Sequence, residues 1–232
     1  MADGITSRRV VADTGQRPLS ERRRKQLALL ACILGSSAAF LDGTLVNVAL
    51  PAIRAELHGG LATQQWIIDA YLLTLGSLIL VGGSLGDLFG ERRVFSIGVA
   101  GFGVVSLLCA ISPSIEFLIA CRALQGAFGA LLTPSALAVI VAAFPREERG
   151  SAIGSWTAWS GIATVIGPLA GGLLVDAVSW RLIFAVNVPF VVATLMLVSI
   201  AVPAPEPGVA HRPSTGWGPR SPSSPSPAQC WH

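Results

Sequence analysis

Six long apolar stretches, separated by short polar connections, dominate residues 27–203. They cover Leu27–Ile53, Trp66–Gly86, Val94–Ser112, Ile115–Phe144, Trp156–Val175 and Leu182–Val202. Each reaches or approaches the ~20 residues that a helix needs to cross a bilayer. The stretches are uniformly apolar and do not alternate as the strands of a membrane barrel would. The pattern therefore predicts an all-α membrane protein with six transmembrane helices.

The segments on either side of this region have a different composition. Residues 1–26 are polar and end in the basic run Arg22–Lys25. A nucleic-acid-binding arm and a cleaved signal peptide are the rival interpretations of this start. However, a charge cluster beside an apolar span sets topology, and the apolar pattern runs on to Ile53, which is too long for a signal core. Residues 204–232 are rich in proline and serine, and we expect them to be disordered.

Composition and charge placement agree with a membrane domain. Hydrophobic residues make up 52% of the chain and charged residues 12%, with a net charge of +3, whereas a soluble chain carries roughly 25% charged residues. Lysines and arginines concentrate in the N-terminal tail and in the connections near 87–93 and 145–150, while the other connections hold only Arg54 and Arg181. The positive-inside rule therefore predicts a multi-pass protein of the cell (inner) membrane with a cytoplasmic N-terminus. Residues 1–26 would then be a cytoplasmic tail.

The sequence favours neither an enzyme nor a metal protein. Three of the four cysteines lie inside apolar stretches, where cysteine is a small core residue, and the three histidines show no ligand spacing. No nucleophile–base pair is evident. We therefore expect no catalytic residue, no metal and no cofactor.

Asp42 is the first candidate for function, because it lies in the middle of the first span. A carboxylate at that depth is costly and is a functional candidate by default. Burial disfavours the charged form, which suits such a residue to bind and release a proton. The alternative is a carboxylate locked in a structural pair with Arg122. We favour the functional role.

Arg122 lies in the fourth span, in a stripe with Gln125, Gly126 and Gly129 at helical spacing. The small residues allow another helix to approach closely. A guanidinium stays charged, so it cannot cycle a proton itself but can bias a nearby carboxylate. The alternative is that Arg122 reaches the outer interface, since it is within about two turns of the start of its span. The residues alone leave these two interpretations open.

Two further segments carry weaker signals. Asp69, near the outer end of the second span, could join a proton path or simply meet interfacial water. The segment from Gly83 to Arg93 is predicted to be a turn on the cytoplasmic side with a task in conformational gating; its candidate residues are Gly83, Asp87, Gly90, Arg92 and Arg93.

The fifth span combines small residues at four-residue spacing with a proline. Ala163, Gly167 and Gly171 would let another helix pack closely, and Pro168 would allow a bend. Packing alone would explain this pattern. Gly172 completes a dense Gly-Pro-x-x-Gly-Gly arrangement.

Together these motifs resemble the major facilitator superfamily, in particular its fourteen-span drug/proton antiporters. The segment Gly83–Arg93 resembles the loop motif between spans two and three, although Leu88 and Glu91 depart from the basic residues common there. The other similarities are Arg122-x-x-Gln125-Gly126 in span four, Gly167-Pro168-x-x-Gly171-Gly172 in span five, Leu41–Pro51 in span one and Trp180–Pro189 at the start of span six. Five motifs in the right order cover roughly residues 27–203.

The resemblance implies the N-terminal bundle of a major facilitator fold, built from two inverted three-helix repeats. It also implies that a small amphipathic compound leaves as protons enter, so that the proton is the coupling ion, with Asp42, Arg122 and Asp69 as candidates. The Pro/Ser-rich tail does not resemble the segment after the sixth span in that family, so a frame-shifted or truncated reading frame is our expectation. Partners would be the lipid bilayer and a separately encoded C-terminal half or a second copy, not nucleic acid. The alternatives are a non-transporting remnant, a membrane interaction protein or a nutrient uptake permease.

Overall fold

The structure, a computed structural model, describes residues 20–201 and is helical throughout, apart from short connections. The predictions for residues 1–19 and 204–232 lie outside this range. The helices are α1 (Glu21–Leu57), α2 (Leu61–Phe89), α3 (Glu91–Ala110), α4 (Ile115–Ala143), α5 (Arg146–Ala177), α6 (Leu182–Ala185) and α7 (Asn187–Ala201). Helices α6 and α7 together form the sixth span, which covers Leu182–Ala201. The described region thus has six helical spans long and apolar enough to cross a membrane, as predicted.

Local chemistry explains where several helices begin and end. Helix α1 ends at Leu57 and is capped by His58, which adopts the left-handed conformation (φ 55°). Gly90 separates α2 from α3 at φ 90°, a conformation that favours glycine. Helix α4 begins after Ser114, whose hydroxyl accepts a hydrogen bond from the Phe117 backbone N–H at 3.3 Å. Pro189 has no backbone N–H to bond the carbonyl of Ala185, and the chain turns at Val186, between α6 and α7.

The predicted turn from Gly83 to Arg93 is wrong in its extent. Residues 83–89 continue α2, and α3 begins at Glu91, so Gly90 alone forms the connection. Gly83 and Asp87 are therefore helical residues of α2, and Arg92 and Arg93 lie in the first turn of α3. The physical reason is that Leu85, Leu88 and Phe89 sustain the helix, which tolerates glycine at a modest cost.

The contacts between helices show a two-fold pseudosymmetry between the first three spans and the last three. Helix α1 packs mainly against α5 and α7, while α4 packs mainly against α2 and α3. If spans one, two and three are exchanged with spans four, five and six, the pairs of α1 with α5 and α7 become the pairs of α4 with α2 and α3. Because successive spans run in opposite directions, the two halves of the bundle are inverted. This pairing agrees with the inverted three-helix repeats that the family resemblance implies.

The interior contains two apolar clusters. One gathers around Trp180, Phe184, Ile53 and Leu118, and the other around Phe95, Phe102 and Ile140. Asp42 lies on α1 between Leu41 and Leu45 of the first cluster and Ala38 of the second. The bundle is therefore interrupted by a polar layer, which holds the candidate site.

Candidate functional site

A buried ion pair between Asp42 of α1 and Arg122 of α4 is the centre of the polar layer. Arg122 Nη1 donates to Asp42 Oδ2 at 2.5 Å, and the side chains of Asp42 and Arg122 are 0% and 1% exposed. The two residues singled out in the sequence are thus in direct contact, as the structural-pair interpretation required. Arg122 does not reach the outer interface, so that alternative is wrong: a buried carboxylate offers a stronger partner than distant water.

Arg122 is fixed by α2 as well as by α1. Its Nε donates to the backbone carbonyl of Ile67 at 3.3 Å. The guanidinium carbon lies 4.2 Å from the centroid of the Tyr71 ring and 5.9 Å from that of Phe184. Aromatic faces attract a cation, more strongly where water is excluded. The fork of Arg122 is therefore held in one orientation toward Asp42.

Gln125, one turn further along α4, links the two charges. Its Oε1 accepts from Arg122 Nη1 at 2.7 Å and its Nε2 donates to Asp42 Oδ1 at 3.1 Å. The thiol of Cys109 lies 3.6 Å from the same Oε1. Since Arg122 and Gln125 are three residues apart, both project from one face of α4, as their spacing predicted.

Asn187 and Ser106 complete the layer from α7 and α3. Asn187 Nδ2 donates to Asp42 Oδ1 at 3.0 Å and to Ser106 Oγ at 3.0 Å. The Ser106 hydroxyl in turn donates to the backbone carbonyl of Phe184 at 2.9 Å. Asp42 is thus surrounded by three donors from two helices, α4 and α7.

Every hydrogen-bond partner of the Asp42 carboxylate among the described residues is a donor. An ionised carboxylate accepts only, whereas a protonated one has an O–H that needs an acceptor. The structure therefore shows the arrangement that an ionised Asp42 requires. A proton arriving at Asp42 would weaken its attraction to Arg122 and leave a buried cation with less compensation.

Asp69 is not part of this layer. It is half-buried, and within residues 20–201 it forms no ion pair and no side-chain hydrogen bond. In the same range, the charged residues Asp87, Arg92 and Arg93 of the predicted gating segment form no ion pair. Their roles stay predictions.

The small residues of spans four and five lie at close helix contacts. A Cβ added to Gly126 would meet Thr74 Oγ1 and the Tyr71 carbonyl of α2, and one added to Gly167 would meet Thr44 Oγ1 of α1. Gly171 faces Leu45 of α1, whose Cδ2 would be 2.9 Å from an added Cβ. Gly172, in contrast, faces open space, and Pro168 lies inside the continuous helix α5. Packing therefore accounts for Gly126, Gly167 and Gly171 in this structure.

Sequence reasoning did not single out Ser106 or Asn187 as site residues. Asn187 did carry a signal, since it is an amide inside an apolar stretch and belongs to the motif at the start of the sixth span. Ser106 carried none, because serine is common in membrane helices, where it bonds the preceding turn. Only the packing of α7 against α1, and of α3 against α4 and α7, reveals both residues.

Comparison with known proteins identifies related chains. The sequence profile of the Major Facilitator Superfamily matches residues 32–227. The chain is 44% identical over 175 residues to the tetracenomycin C resistance and export protein of Streptomyces glaucescens, covering 75% of this chain and 32% of that protein. It is 40% identical over 189 residues to the multidrug efflux pump LfrA of Mycolicibacterium smegmatis, covering 80% and 38%.

A solved structure shares the fold. It is a bacterial homologue of the human lysosomal transporter Spinster, in an inward-facing and unoccupied conformation; the TM-score is 0.54 at 19% identity, and the match covers 81% of this chain and 42% of that one. The chain spans about a third of the length of the two curated relatives, the resistance and export protein and the efflux pump.

Proposed function

The chain belongs to the Major Facilitator Superfamily, and we propose that its six helices serve as the N-terminal half of a proton-coupled exporter of drugs or other small amphipathic compounds. The two curated relatives are named for resistance, export or efflux. The cell membrane, with the N-terminus in the cytoplasm, is the proposed location.

The observation that carries the proposal is the buried pair of Asp42 and Arg122. Intramembrane charges are costly and mark ion pathways and proton relays more often than they serve packing. Among the described residues, Asp42 and Arg122 are the only buried charged side chains, and Gln125 bonds to both. We therefore assign Asp42 as the residue that carries the coupling proton and Arg122 as the residue that responds to it.

The proposed coupling depends on the change in charge. With Asp42 ionised, the pair links α1 to α4. With Asp42 protonated, Arg122 becomes a buried cation without a full counter-charge, which favours any conformation that gives it another partner. A proton thereby biases the bundle between two conformations, as alternating access requires. The segment around Gly90, with Asp87, Arg92 and Arg93, is the proposed gate on the cytoplasmic side.

The substrate cavity would need a second wall. Helices α2 and α5 present large exposed apolar side chains, among them Leu73, Leu80, Leu169 and Leu173. Open glycines lie on both helices, Gly76 on α2 and Gly161 on α5, and such positions let another helix come close. We propose that these faces meet a second six-helix half, supplied by a separately encoded segment or a second copy, with lipid covering the remainder. Small amphipathic compounds would bind between the two halves.

Export of a fluorescent amphipathic dye tests the proposal. The assay uses cells that carry a complete transporter containing these six helices, energised by a pH gradient alone. Asp42→Asn keeps the size of the side chain and removes its titration, so export should cease while the protein still inserts. Arg122→Lys keeps the charge but loses the planar fork, so coupling should weaken without abolishing dye binding. Residues 1–232 expressed alone should not transport unless two copies pair to form the cavity.

Asp69→Asn is the matched control, because it removes a carboxylate outside the buried pair. It should leave more export than Asp42→Asn. Export that persists in Asp42→Asn but ceases in Asp69→Asn would contradict the assignment and make Asp69 the proton carrier.

A further inference from the structure

Asn187 stands out in the polar layer because one of its two polar atoms has no partner. The side chain is fully buried, and its Oδ1 accepts no hydrogen bond within the described part of the chain. A buried polar atom without a partner destabilises a fold, typically by about 1–3 kcal/mol. An apolar residue of similar size would avoid that cost. Packing therefore does not explain an amide at this position.

The donor atom of the same amide supplies the explanation. Asn187 Nδ2 uses both hydrogens, one toward Asp42 Oδ1 and one toward Ser106 Oγ, each at 3.0 Å. Hydrogen bonds to a charged group are roughly twice as strong as those between neutral groups. The bond to Asp42 is therefore strongest, and offsets the unpartnered Oδ1 most, while the carboxylate is ionised.

We propose that Asn187 is a positioning residue that stabilises the ionised form of Asp42, and so sets the pH range over which this site exchanges a proton. The inference rests on the proposed role of Asp42 as the proton carrier. Asn187 is buried away from solvent, and its proposed effect on proton exchange is exerted through Asp42 alone. Ser106 holds the amide in place by accepting its second hydrogen.

The surroundings of Asp42 offer few competing groups. The charged or titratable side chains that face it are Arg122 from α4, Tyr71 from α2 and Cys109 from α3. In the described residues, α5, α6 and α7 contribute no ionisable side chain that bonds to it; α7 contributes the neutral amide of Asn187. Arg122 and Gln125 already donate to Asp42, and Gln125 is also fixed at its Oε1 by Arg122. Asn187 is therefore the donor that can be removed without freeing the Arg122 guanidinium.

Infrared spectroscopy of the purified 232-residue chain in lipid vesicles tests the inference. Protonated carboxyl groups absorb in the carbonyl region of the spectrum. The contribution of Asp42 is identified as the part of this absorption that is lost in Asp42→Asn. We expect this band to reach half its full intensity at a higher pH in Asn187→Ala than in the wild type, by about one pH unit, because the ionised form loses one charge-assisted donor. Asn187→Leu should shift it in the same direction, since leucine leaves no space for a water to replace the amide.

Asn47→Ala is the matched control. The side-chain amide of Asn47 donates to the Gly43 carbonyl of its own helix, α1. Its loss should not change the pH at which the Asp42 band reaches half its full intensity. An unchanged midpoint in both Asn187 variants would overturn the inference, as would the absence of an Asp42 band at every pH at which the chain remains helical. If Asn187→Ala does not insert, Asn187→Leu decides alone. Failure of the proposed function looks different, because dye export would then persist in Asp42→Asn.

Discussion

Replacing Arg122 by methionine should strongly destabilise the bundle. The substitution keeps a long side chain but leaves Asp42, which is 0% exposed, without the cation that it contacts at 2.5 Å. Removing one partner of a buried ion pair typically costs about 3–5 kcal/mol, because the other charge stays buried and uncompensated. The loss of the bond to the Ile67 carbonyl adds to this. We therefore expect a loss of about 4 kcal/mol in the free energy of unfolding.

The double variant with Asp42→Asn distinguishes this mechanism from a simple loss of contacts. Neutralising Asp42 removes the uncompensated charge, so Arg122→Met with Asp42→Asn should recover most of the stability that Arg122→Met loses alone. The assay is unfolding of the purified chain in mixed micelles with increasing SDS, followed by circular dichroism. The control is Glu21→Gln, which breaks the exposed pair of Glu21 and Lys25 and should cost less than about 1 kcal/mol.

Two results would show that Arg122 does not compensate the buried charge of Asp42. One is a cost for Arg122→Met no larger than that for Glu21→Gln. The other is a double variant whose loss equals the sum of the two single losses, since additivity would mean that the charges do not interact.

Three other predictions concern topology, helix packing and an exposed ion pair. Single cysteines introduced at Arg92 should react only with reagents on the cytoplasmic side and those at Arg54 only with external reagents; the reverse pattern would exclude the predicted orientation. Gly167→Val should destabilise the chain by about 1–3 kcal/mol in the same SDS assay, because its side chain would meet Thr44, whereas Gly172→Val should be nearly neutral. Glu56→Gln removes a half-exposed pair with Arg181 and should cost about 1 kcal/mol or less; a larger loss would show that this ion pair holds the bundle together.

The sequence carried enough information for the spans but not for their ends. Apolar length is a strong signal, and it identified six helical spans correctly. The polar boundary residues are a weaker guide, because polar residues continue a helix beyond the apolar region. Helix α1 accordingly begins at Glu21 and includes the basic run, and α2 continues through Asp87 to Phe89.

The site was predictable where charge marked it. Asp42 and Arg122 stood out because ionised side chains are rare inside spans, but their contact joins residues 80 positions apart and needed the packing of α1 against α4. Asn187 and Ser106 are neutral, so their cost of burial is smaller and their composition signal weaker. Their role depends on which helices surround Asp42, which no local pattern specifies.

Proton release upon drug binding reports on the proposed role of Asp42 as the proton carrier. A complete transporter containing these helices is held in unbuffered detergent solution with a pH indicator, and an amphipathic drug is added. We predict that the wild type releases protons when the drug binds. Asp42→Asn should still bind the drug but should release no proton from these six helices. Equal proton release by the two proteins would contradict the assignment of Asp42 as the coupling residue.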